Sequence, residues 1–171
     1  MTESEQQRVF KSWLDDHKGL LFKIVRAYAF TMEDRDDLFQ EVALQVWRSV
    51  PNFRGESAVT TWLYRIALNT SLRWKSREDK SITKISALAH PTTLTFQPES
   101  SSADDRVNWL YQEINKLNEI DRSLCLMLLD DFSYKEMAEI LGISESNVAV
   151  KIHRLKKYLV EQSKTETTHE I

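Results

Sequence analysis

Glycine and proline are nearly missing from this 171-residue chain, with three of each. Strands and hairpins depend on the turns those residues favour, so their scarcity argues against a β-rich fold and predicts an all-α one. Long apolar runs are missing too. None approaches the ~18 residues that would span a bilayer, so no membrane insertion is expected. The polar start MTESEQQRVF lacks the charged-then-apolar order of a secretory leader, which predicts a cytoplasmic protein. A single cysteine, Cys125, excludes an internal disulfide and a cysteine-based zinc site, and His17, His90, His153 and His169 stand without helical pairing. Neither a metal nor another cofactor is therefore expected. Cys125 should pack as a small apolar core residue.

What is present is helical periodicity, in two blocks. The first runs from about Val9 to Arg77 and the second from about Asp105 to Glu161. The intervening residues hold two of the three prolines, Pro91 and Pro98, a serine cluster and no sustained apolar stripe. That composition marks a linker, within which a short helix over Lys80 to Leu88 is possible. The expected organisation is two small helical domains, 1–77 and 105–162, joined by a flexible linker at 78–104. A polar tail over 163–171 is expected to be disordered.

The formal net charge of −3 averages over opposed patches. TMEDRDDLFQE, residues 31–41, sets five acids against Arg35. Residues 53–77 set five cations against Glu56, and residues 148–160 hold Lys151, Arg154, Lys156 and Lys157 with no acid. Screening cuts off charges beyond ~10 Å, so a partner responds to the local patch and not to the total.

SYKEMAEILGISESNVAVKIHRLKK, opening at Ser133, reads as two short helices around a glycine turn. Ser133 with Glu136 forms a capping box that starts a helix at Tyr134. Met137, Ala138 and Leu141 form its buried face, Gly142 supplies the tight turn, Ile143 plugs the junction and Ser144 caps the next helix. There Val148, Ile152, Leu155 and Leu159 make one apolar stripe. Such a close crossing is that of a helix-turn-helix. Glu145, Ser146, Asn147, Val150 and Lys151 would face base edges, with Arg154, Lys156 and Lys157 along phosphate. The alternative is a plain helical hairpin with a solvated basic end, and His153 reads as a surface or phosphate-facing residue.

In the first block, Leu38, Val42, Val46 and Val50, with Phe39, Ala43 and Trp47, give one helix a broad apolar face and an acidic start. Asp36 and Asp37 there either complement the helix macrodipole or form a docking site for a basic partner. After the loop bracketed by Pro51 and Gly55, a further helix turns Trp62, Leu63, Ile66, Ala67 and Thr70 inward. Its other face presents Arg65, Asn69, Arg73 and Arg77 at steps of four. This stripe is either a solvated helix face or, beside Phe53, Arg54 and Ser57, a surface for unstacked single-stranded bases, which aromatics and cations hold.

DLFQEVALQVW, FRGESAVTTWLYRIALNTSLR and FSYKEMAEILGISESNVAVKIHRLKK, in that order and spacing, closely resemble the bacterial sigma factors of the extracytoplasmic function group. The resemblance runs from about residue 10 to residue 160 and implies a region 2 domain, a linker and a region 4 domain. Its expected partners are core RNA polymerase, promoter DNA and a cognate anti-sigma factor. It puts Asp36, Asp37, Gln40, Glu41 and Trp47 on the polymerase. It puts Phe53, Arg54, Ser57, Trp62, Arg65, Asn69 and Arg73 on the minus-ten element, with the loop residues capturing a flipped base. Ser146, Asn147, Val150, Lys151, Arg154 and Lys157 fall on the minus-thirty-five element. The chain departs from the family pattern at Ala149 and Val150, where a basic and a small hydroxyl residue are common, and at Asp131, where glycine is frequent. Val150 can still touch a thymine methyl.

The function expected is a non-enzymatic initiation factor that guides polymerase to promoters. A free-standing helix-turn-helix regulator would explain residues 133–157 but not the loop and stripe of 53–77, and would ordinarily require a dimer. A nuclease holding a metal on Asp34, Asp36 and Asp37 is a third reading, weakened because no other element offers ligands.

Overall fold

A computed structural model describes residues 1–86 and 102–168, all of whose regular elements are helices. Contacts divide the chain into two compact units, residues 1–105 and 106–171. Of the expected linker, residues 87–101 lie outside the described residues, as do 169–171.

The first unit is built on three long helices: α1 (Glu3–Tyr28), α2 (Met32–Ser49) and α3 (Val59–Ser86). Each packs on the other two. Thr2 opens α1 with a capping box: its hydroxyl accepts from the Glu5 amide at 3.3 Å and its own amide donates to Glu5 Oε2 at 2.7 Å. These bonds hold the Glu5 carboxyl below its usual range, because they favour the charged form. Thr31 caps α2 by accepting from the Asp34 amide at 3.0 Å. The core between the helices is Leu21, Ile24, Val25, Tyr28, Leu38, Val42, Val46, Leu63, Tyr64, Ala67 and Leu68, each at most 1% exposed. Burying a side chain of this size contributes about 1.5–3 kcal/mol. A short 3-10 turn, Val50–Asn52, follows α2 with Pro51 in its first turn, where a missing N–H costs nothing.

The second unit contains α4 (Ser102–Lys116), α5 (Glu119–Leu129), α6 (Tyr134–Leu141) and α7 (Glu145–Thr168). Its core gathers Ile114, Leu124, Cys125, Leu126, Met127, Met137, Ala138, Val148, Ile152 and Leu155. Ser133 and Glu136 make the expected capping box, and Gly142 adopts φ +68°, accepting the left-handed conformation that ends α6. Its amide and that of Ile143 both donate to Ala138 O, at 2.9 and 3.2 Å. The next helix is capped by Ser144, whose hydroxyl accepts from the Asn147 amide at 3.2 Å. Buried Arg122 closes the end of α4, donating to the carbonyls of Ile114, Asn115 and Leu117 at 3.3, 2.9 and 3.1 Å. A cation there also complements the negative end of the helix dipole.

Two expectations need correction. Lys80 to Ser86 form no separate short helix; they continue α3, because nothing after Val59 breaks the helix before Pro91. Residues 163–168 of the polar tail are helical, and the Ser163 hydroxyl donates to Val160 O at 2.9 Å. Although three of these six residues are threonines of modest helix propensity, a helix already nucleated by the buried stripe upstream continues through them.

Candidate nucleic-acid interface

Arg65, Asn69, Arg73 and Arg77 are all exposed along α3, while Leu63, Tyr64, Ala67, Leu68, Thr70 and Ser71 of the same helix are buried. Twelve residues of helix separate the ends of this stripe, about 18 Å at ~1.5 Å per residue. The stripe ends at an ion pair that sequence spacing gave no hint of. Arg77 Nη2 lies 2.7 Å from both Glu41 Oε1 and Oε2, joining α3 to α2. Glu41, Gln45, Arg73, Ser76 and Arg77 line a cleft of about 440 Å³ between these helices.

The loop before α3 is anchored by aromatic packing. Phe53 sits edge-on to Trp13, with centroids 5.2 Å apart, and tilted against Trp62 at 5.5 Å. Trp62 Nε1 donates to Ser49 Oγ at 3.3 Å, and that hydroxyl donates to Val46 O at 2.8 Å. Phe53 and Trp62, expected to meet DNA, are therefore half-buried and packed against one another and Trp13. Arg54, Glu56 and Ser57 stay exposed around Gly55, whose φ of +73° lets the chain turn there. Trp13 was missed in the sequence; its only signal is an aromatic at an inward position of α1.

On α2 the expected docking residues divide. Asp36, Asp37 and Gln40 are exposed, whereas Glu41 is half-buried on the flank toward α3. Trp47 turns to α1, its ring edge-on to Phe10 at 5.4 Å and its carbonyl accepting from Gln6 Nε2 at 2.8 Å.

In the second unit α7 leaves Ser146, Asn147, Val150, Arg154 and Lys157 exposed, opposite the buried Val148, Ile152 and Leu155. His153 is exposed on the same helix. Lys151 is half-buried, its ammonium 3.6 Å from Asp121 Oδ1 on α5. That pairing holds the ammonium beside α5. Farther along, the Tyr158 hydroxyl donates to buried Glu113 at 3.0 Å, and Lys116 pairs with the same carboxylate at 2.6 Å. Loss of solvent and the bond to Glu113 raise the Tyr158 pKa. Among the described residues no group of three or more His, Cys, Asp or Glu is placed to hold a metal ion, and no helix is long and apolar enough to cross a membrane.

Residues 8–81 match the family model Sigma-70 region 2, and residues 108–159 match Sigma-70, region 4. RNA polymerase sigma factor YlaC of Bacillus subtilis (strain 168) is 36% identical over 143 residues, covering 79% of this chain and 83% of that protein. The RNA polymerase sigma-H factor of Pseudomonas aeruginosa is 30% identical over 162 residues, covering 88% and 84%. Two solved structures share the fold. The sigma factor RpoE of Bartonella quintana, in complex with the anti-sigma factor NepR, aligns with a TM-score of 0.72 at 19% identity over 92% of this chain and 98% of that one. CnrH, in complex with the cytosolic domain of CnrY, aligns with a TM-score of 0.66 at 20% identity over 93% and 90%.

Proposed function

The chain belongs to the sigma-70 family of RNA polymerase sigma factors, in the extracytoplasmic function group, and on that footing we propose how its residues divide the work. It binds core RNA polymerase and directs it to promoters. The family comprises initiation factors, and the chemistry of RNA synthesis falls to the polymerase. Asp36, Asp37 and Gln40 form the polymerase-docking face of α2, an exposed acidic surface for a basic partner. Arg65, Asn69 and Arg73 track the melted minus-ten strand. Arg54 and Ser57, held out by the Trp13, Phe53 and Trp62 cluster, receive the flipped base, so Phe53 and Trp62 act by supporting the loop.

Ser146, Asn147 and Val150 read the minus-thirty-five element, while Lys151, Arg154 and Lys157 lie along phosphate. The domains follow the helices, residues 1–86 carrying region 2 and 105–162 region 4, with α7 continuing past the region 4 core. Because RpoE was solved in complex with the anti-sigma factor NepR, and CnrH with the cytosolic domain of CnrY, an anti-sigma factor is the expected restraint on this chain also. The site of action is the cytoplasm, where polymerase and promoter are.

The observation that carries this reading is the exposed Arg65, Asn69 and Arg73 stripe on the same three-helix unit as the acidic face of α2. It also reconciles an acidic chain with DNA, since docking on polymerase presents the basic faces to promoter DNA at high effective concentration. The test is a double dissociation. Asn69→Ala should alter base preference in the minus-ten element while capturing core polymerase normally, and Asp37→Arg should weaken capture. Unchanged preference at every minus-ten position, or wild-type capture by Asp37→Arg, contradicts the corresponding assignment.

A further inference from the structure

Glu41 stands between two surfaces. Along α2 it lies about one turn after Asp37 and directly follows Gln40 of the docking face, yet its carboxylate is committed to Arg77, the last cation of the α3 stripe, at 2.7 Å through both oxygens. Arg77 is 60% exposed and Glu41 30%, so solvent reaches both and the pair can open. While it is closed, it works against both surfaces. The charge of Arg77 is neutralised, and a phosphate entering the cleft beside Arg73 and Ser76 meets the negative carboxylate. A basic partner approaching α2 in turn finds Glu41 already paired.

We infer that Glu41 is a positioning residue whose exchange between Arg77 and a cation of core polymerase couples docking to DNA binding. The coupling rests on the docking face proposed above. In the free chain the carboxylate holds Arg77 against the cleft. When polymerase claims Glu41, Arg77 is released and the stripe gains its fourth donor for a backbone phosphate. Linkage requires that the effect run both ways: whatever frees Glu41 strengthens docking, and whatever frees Arg77 strengthens DNA binding.

The experiment measures the affinity of the full-length chain for core RNA polymerase with no DNA present, and for a single-stranded oligonucleotide with no polymerase present. Arg77→Gln should bind polymerase up to about fivefold more tightly, the most that an exposed ion pair of this kind withholds. The gain should vanish in the Glu41→Gln background. Glu41→Gln alone should bind polymerase less tightly and the oligonucleotide more tightly, with a salt dependence steeper by about 0.7 in log–log slope, one added phosphate contact on a single strand. A merely structural pair would not move that slope. Arg77→Gln binding polymerase no more tightly than wild type, or a gain that persists without Glu41, overturns the coupling. Asp37→Arg separates the two ways to fail. If it loses capture while Arg77→Gln leaves capture unchanged, only the coupling falls; if it captures like wild type, the docking face falls and the coupling with it.

Discussion

The rings of Phe53 and Trp62 lie 5.5 Å apart at an interplanar angle of 59°, tying the loop after α2 to the first turns of α3. Trp13 of α1 closes on Phe53 from another side. This contact makes the loop a supported structure, and it leads to the first prediction. Phe53→Ala should destabilise the first unit by about 1–3 kcal/mol, part of the ~3–5 kcal/mol of a fully buried Phe→Ala, because the ring is half-buried. Promoter opening should fall with it. Chemical denaturation checks this, and an unfolding midpoint equal to wild type would mean that the ring serves DNA alone.

The backbone at Asp131 gives a second prediction. Its φ of +58° is left-handed, the region in which glycine is unstrained, and its amide donates to Leu128 O while that of Phe132 donates to Met127 O. Asp131→Gly keeps those bonds and removes the Cβ clash, so it should stabilise the second unit by about 0.5–1 kcal/mol. Hydrogen exchange at Leu124 and Val148 would report slower opening. Faster exchange would show that the aspartate side chain contributes more than its backbone costs.

Cys125 supplies a third prediction, through pH. Burial pushes its thiol up to about 11 from an ordinary value of 9.0, since the anion is disfavoured in the core. A folded pKa raised above the unfolded one means stability is fully present below pH 9 and is lost as pH rises through 11. By pH 10 the loss attributable to this thiol is on the order of 1 kcal/mol. Cys125→Ala should be less stable at pH 7, from the lost packing, but should lose less between pH 8 and pH 10 than wild type does. A pH dependence identical to wild type would contradict the burial account.

Much of this architecture is legible in local signals. Ser133 and Glu136, Gly142 and the Val148, Ile152 and Leu155 stripe act over three to seven residues, and a helix end or a buried face at that range is written in the spacing itself. The Arg65 to Arg77 stripe was legible for the same reason. The capping box of Thr2 and Glu5 was equally readable, by the pattern that revealed Ser133, and was missed along with the true start of α1. What spacing could not supply is the pairing between elements. Glu41 meets Arg77 across 36 residues, Tyr158 meets Glu113 across 45, and Asp121 reaches Lys151 from another helix. Each of these commits a charged side chain to a partner on another helix. The end of α3 was misread because Lys80 to Ser86 lack an apolar stripe, although no residue there forbids a helix that is already running.

The central claim is that this chain directs core polymerase to promoters, and run-off transcription tests it most directly. Purified core RNA polymerase and the full-length chain are incubated with pooled genomic fragments, each protein also being tested alone. The account predicts discrete transcripts only when both are present, their start sites sharing minus-ten and minus-thirty-five elements. An absence of such transcripts, together with sequence-specific binding of duplex DNA by the chain alone, would contradict it and make the protein an independent regulator.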